Sequence, residues 1–142
     1  MMKTFYSLLI LLLSGNLIAA QTIRTKDPYG EKLFYVDGIS IRQKDNYGEK
    51  LFYQDGQTVR EKDSYGKKLY FLDGNTVREE DAYGKKLYYF DGLTVRRNDA
   101  YGEKLFFVDG QTLRRKDQYG EKLFFFETLP EKWIIVCIIN AK

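Results

Sequence analysis

The chain has no histidine and a single cysteine, Cys137, in 142 residues. Without histidine there is no Ser-His-Asp or Cys-His relay and no His-ligated zinc, and one cysteine cannot close an internal disulfide. Proline occurs only at 28 and 130, and tryptophan only at 133. An excess of one charge is also lacking, since Lys plus Arg number 23 against 20 Asp plus Glu. Setting aside Lys3 with an N-terminal leader leaves 22 against 20, a net +2. That is far from the basic stripe that gripping nucleic acid requires. With 44% apolar and 30% charged residues, the chain is neither a disordered tail nor a polytopic membrane protein.

Long apolar runs are scarce, and the main one opens the chain. Lys3 precedes Leu8-Leu9-Ile10-Leu11-Leu12-Leu13, and Ile18-Ala19-Ala20 ends in a small residue before Gln21. This layout predicts a secretory signal peptide at 1–20. Gly15 and Asn16 interrupt the run short of the ~20 residues a helical span needs, and no cysteine follows for a lipid anchor. The protein is therefore expected to be exported, to a periplasm, the cell surface or the medium, and not to span a membrane after cleavage.

What the sequence does have is self-similarity, and this decides the expected fold. From Gln21 it repeats every 18 residues, over 21–38, 39–56, 57–74, 75–92, 93–110 and 111–128. The consensus is x-T-V-R-x-x-D-x-Y-G-x-K-L-[FY]-[FY]-x-D-G, with the Arg, first Asp, Tyr, its Gly, Lys and Leu present in all six copies. Each unit reads as a β-hairpin, with two short Thr/Val/aromatic segments bounded by Asp and Gly. The D-x-Y-G segment fits a type I turn, with Pro28 at the second position of the first copy. The expected architecture is all-β: an antiparallel meander of six hairpins, curled into a barrel-like or flower-like closed sheet. An open twisted ribbon is the alternative. The tail, 129–142, is expected to be a C-terminal capping strand, because 130–136 aligns with 120–126. Cys137 within it is expected to be a buried small apolar residue.

Side-chain alternation sets an expected register. With a glycine bulge at each turn, Val59 would lie opposite Phe71 and Arg60 opposite Tyr70. Val59, Leu69 and Phe71 would then share one face, and both glycines of every unit would have positive φ. On this register Arg60, Arg78 and Arg96 meet Tyr70, Tyr88 and Phe106. Such a ladder of guanidinium groups and rings holds a sugar or anionic polymer, or else its members shield one another. The turn tyrosines Tyr29, Tyr47, Tyr65, Tyr83, Tyr101 and Tyr119 are a second candidate site: a row of rings along one rim for stacking on sugars, or rings folded back over their own hairpins. The paired Asp residues of each unit are expected to serve turns. No catalytic, metal or cofactor-binding residue is expected.

Segments such as Gly84-Lys85-Lys86-Leu87-Tyr88-Tyr89-Phe90-Asp91-Gly92 resemble the aromatic hairpins of bacterial choline- and glucan-binding cell-wall repeats. Here no repeat carries Trp, and every one carries an Arg. The whole-chain pattern more closely resembles exported bacterial β-hairpin-repeat proteins of the β-flower kind, a resemblance that implies a fold rather than an activity. The expected function is a non-catalytic exported repeat domain with a structural or protein-interaction role at the cell envelope. The alternative is a glycan or cell-wall binding module. The expected partner is accordingly another envelope protein or a cell-wall glycan. The oligomeric state stays open.

Overall fold

A computed structural model describes residues 20–141. The expected signal peptide therefore lies outside the described residues except for Ala20. The strands are β1 Gln21–Thr25, β2 Lys32–Asp37, β3 Ser40–Gln43, β4 Lys50–Asp55, β5 Thr58–Glu61 and β6 Lys68–Asp73. They continue as β7 Thr76–Glu79, β8 Lys86–Asp91, β9 Thr94–Arg97, β10 Lys104–Asp109, β11 Thr112–Arg115 and β12 Lys122–Phe126, before one helix, α1, at Lys132–Asn140. Each 18-residue unit supplies one short and one longer strand. The expected antiparallel meander closes into a barrel, with β1 against β12.

Closure follows from the repeat. At the seam Arg24 stands opposite Phe125, as Arg60 stands opposite Tyr53 within the sheet. β1 thus takes the place that a seventh unit's Thr-Val-Arg strand would occupy. The last copy departs from the consensus where this matters. Glu127, standing in for an Asp, accepts from the Thr22 amide at 2.7 Å, and Gln21 Oε1 accepts from the Thr128 amide at 3.4 Å. A closed barrel leaves no edge open to a second chain.

The register differs by one residue from the alternation reading. Val59 faces Tyr70, and Arg60 faces Lys68, so Leu69 is the bulged residue. The other turn is a two-residue loop of the form Gly-x, pairing Asp73 with Thr76. Gly74, at φ +63°, occupies its first central position, as a type II′ turn requires. Only these Asp-Gly glycines have the expected positive φ. At the other turn the left-handed residue is a polar side chain just before the Asp, such as Lys62 at φ +63°. Gly66 is needed there for room: a Cβ on it would stand 1.5 Å from the Glu61 carbonyl oxygen.

The shifted register decides what lies inside. Ile23, Ile41, Val59, Val77, Val95 and Leu113 point inward and are buried, and Tyr70, Tyr88 and Phe106 pack against the same core. The Arg side chains lie on the opposite face of the wall.

The tail is a helix and not the expected capping strand. Trp133, Ile134, Ile135, Val136, Cys137 and Ile138 are all buried in the barrel lumen. β-branched residues favour a strand, but every strand edge is already paired. A segment inside a closed lumen has no ladder to join and must satisfy its own amides and carbonyls. A helix does this, and one that is apolar on all sides can be enclosed on all sides.

Candidate functional site: the tyrosine rim and the barrel mouth

All six D-x-Y-G turns lie at one end of the barrel, because each joins an odd strand to the following even one. Each is locked by its own residues. In the third copy the Gly66 amide donates to the Asp63 carbonyl at 3.0 Å, and the Tyr65 amide donates to Asp63 Oδ1 at 2.9 Å. Arg60 Nη1 then donates to the Gly66 carbonyl at 3.0 Å, and Arg60 Nε pairs with Asp55 at 3.0 Å. The Nη1 bond to the turn glycine recurs in every copy, at Arg24, Arg42, Arg78, Arg96 and Arg114 as well. Each arginine thus ties a D-x-Y-G turn to the wall, and both Asp sets act as local acceptors or ion-pair partners.

This separates the expected Arg–aromatic ladder. Arg60, Arg78 and Arg96 face Tyr53, Phe71 and Tyr89 in register, whereas Tyr70, Tyr88 and Phe106 lie on the inner face. Half of the candidate set is outside the wall and half inside, so those residues form no common site. Among the described residues, the cation–ring contact the geometry gives is Lys132 Nζ, 5.8 Å from the Phe90 ring centre.

The turn tyrosines are different. Tyr29, Tyr47, Tyr65, Tyr83, Tyr101 and Tyr119 are between 86% and 97% exposed. They stand out from their hairpins instead of folding over them. Rings this exposed contribute little to the fold, while their backbones are fixed by turns repeated around a closed circle. Beside Tyr119, the outer-wall Phe107 shares a cleft of about 290 Å³ with Lys104, Asp117 and Gln118.

Inside this rim is the barrel mouth, which the sequence reading did not single out. α1 enters at the Asp-Gly end, where Lys132 Nζ donates to Asn75 Oδ1 at 2.7 Å. It ends at the tyrosine end, where the Tyr88 hydroxyl donates to Asn140 Oδ1 at 2.9 Å. Cavities of about 400, 480 and 620 Å³ surround its last turn. The recurrent Leu, which the alternation reading puts on one face with Val59 and Phe71, lines them in four copies, as Leu33, Leu51, Leu69 and Leu87. The bulge at this residue, invisible in the one-dimensional pattern, moves it to the mouth.

Two groups at the lumen have shifted acidities. Burial pushes the Cys137 thiol well above its ordinary value, which keeps it protonated and unreactive. Tyr70 is pushed from 10.0 to about 12, first by burial and then by Cys137 and Tyr88. The unfolded chain releases this proton near pH 10 and the folded one near 12, so stability falls as pH rises through that window. Urea midpoints measured across it should fall less steeply in Tyr70→Phe than in the wild type. Equal slopes would mean that Tyr70 is not the source.

Among the described residues, no group of three or more His, Cys, Asp or Glu gathers in a metal-binding arrangement, and no helix is long and apolar enough to cross a membrane. No family model, curated protein or solved structure matches the chain.

Proposed function

We propose that this is a non-catalytic exported module that docks a partner at the cell envelope through its tyrosine rim. The observation that carries this reading is the near-complete exposure of six tyrosines on six rigid turns. Exposed aromatic side chains lose little entropy on contact and bury a large area, which suits them to anchor an interface. Six equivalent anchors on a ring also favour multivalent engagement, in which weak contacts combine.

A second reading, a glycan or cell-wall binding module, is favoured by the cleft beside Tyr119. Two rings with Lys104, Asp117 and Gln118 offer a stacking surface next to groups that hydrogen-bond hydroxyls. Co-sedimentation with peptidoglycan and insoluble polysaccharides, alongside capture of envelope proteins, distinguishes the two partners. Replacing Tyr47, Tyr83 and Tyr119 with Ser should lower capture at least about tenfold by loss of multivalency while leaving the melting temperature unchanged. Undiminished capture by that variant would refute docking through the rim.

A further inference from the structure

We propose that Gln21 is a modification site: once the leader is removed, its α-amine closes on its own side chain to give an N-terminal pyroglutamate, which keeps a charge out of the barrel seam. This rests on export with cleavage after Ala20, and one mass spectrum tells a failure of that reading from a failure of this one.

Two separate observations meet at this residue. The sequence pattern places the cleavage between Ala20 and Gln21, and β1 begins at Gln21, with Ala20 exposed ahead of it. Gln21 also breaks the sixfold pattern. Ile39, Gln57, Asn75, Leu93 and Gln111 hold the same place in the other units, each after the glycine of an Asp-Gly turn, and all are exposed. Gln21 instead starts the ladder opposite Val36 and is 6% exposed. Among the described residues it is the one polar residue that is buried.

Cleavage leaves an α-ammonium on this residue. Such a group has an ordinary pKa of about 7.7–8.0 and carries its charge at neutral pH. A charge at a buried strand end is costly unless a partner answers it. Glu127, the acid at this end of the seam, already accepts from the Thr22 amide. Cyclisation removes the charge. The neutral amine nitrogen attacks Cδ of the Gln21 carboxamide, the new C–N bond closes a lactam ring, and the Cδ–Nε2 bond breaks. Nε2 leaves as ammonia with one proton from the amine, so the step needs no oxidant, reductant or second substrate.

The product suits the seam. The hydrogen bond that the structure gives this side chain uses Oε1, which accepts from the Thr128 amide at 3.4 Å. The lactam keeps that carbonyl and a backbone N–H, and gives up only Nε2. Because Gln21 is buried in a β1 that pairs with both β2 and β12, the ring closes before the barrel does.

The test is intact-mass and N-terminal peptide mass spectrometry of the exported protein, taken directly from the cells that make it. We expect residues 21–142 in nearly all molecules, with a loss of about 17 Da at the first residue. Gln21→Ala should keep its full mass and a free amine. Mature chains refolded with the lactam closed should melt about 3 °C or more above chains refolded with Gln21 open. A protein that retains the leader, or that starts elsewhere, would overturn the proposal through the export reading. A start at Gln21 with full mass, closure that appears only on storage, the same mass loss in Gln21→Ala, or equal melting temperatures would each overturn the proposal while leaving export standing.

Discussion

Ending the chain after Pro130 should leave a protein that does not fold. The truncation removes α1 and with it six consecutive buried side chains, Trp133 to Ile138. Fully burying a large apolar side chain is worth about 1.5–3 kcal/mol, so the set amounts to roughly 10 kcal/mol or more. A whole domain is net stable by only about 5–15 kcal/mol. The wall cannot supply a replacement, because the lumen enclosed by twelve strands is wider than inward side chains alone can fill. The truncated chain should lose cooperative thermal unfolding by circular dichroism. A milder probe of the same effect is Ile135→Ala, 3% exposed in the native protein, at about 2–5 kcal/mol. Trp133, the sole tryptophan, reports its unfolding directly. A truncated barrel melting at the wild-type temperature would show that the helix is not the core.

The second large effect separates two glycines of one unit. Gly66→Ala places a methyl carbon 1.5 Å from a backbone carbonyl oxygen, at a φ that is not in the left-handed region. The turn, its Asp63 bonds and the Arg60 clamp must all shift to admit it. We expect a loss of about 3 kcal/mol or more from this overpacking. Gly74→Ala meets nothing within 4 Å and suffers only from its φ of +63°, which costs about 1–2 kcal/mol. Urea midpoints of the two variants should therefore rank Gly66→Ala well below Gly74→Ala. The opposite order would mean that backbone chirality, not close approach, sets the cost at both turns.

Much of the site was legible because it repeats. Tyr29 to Tyr119 were identifiable as turn residues from D-x-Y-G alone, since Asp, Gly and the first-copy Pro28 carry that turn's requirements locally. Their exposure was not legible, because a ring beside a hairpin packs or projects according to what lies next to it. The Arg–aromatic pairing was misplaced for a sharper reason. Alternation has a period of two, so misplacing one bulge exchanges the faces of every residue beyond it. Here the bulge falls at Leu69, an ordinary strand former, and the left-handed residue is Lys62 rather than Gly66. Neither choice leaves a residue-type signature. The mouth escaped notice because Leu33, Leu51, Leu69 and Leu87 come to line the cavities around Ile138, Asn140 and Ala141 only once the helix has entered the lumen.

By itself, the sequence determined the hairpin unit, its strand and turn positions and the number of copies, since each depends on contacts within about eighteen residues. Six copies of one register also made a closed sheet a sound expectation. Only the tertiary structure decided that the apolar tail is a helix inside the barrel. Local propensity in Trp133-Ile134-Ile135-Val136 favours a strand, but a strand needs a free edge. Closure of β1 on β12 had already used the last one, and a backbone shut inside a lumen must hydrogen-bond to itself.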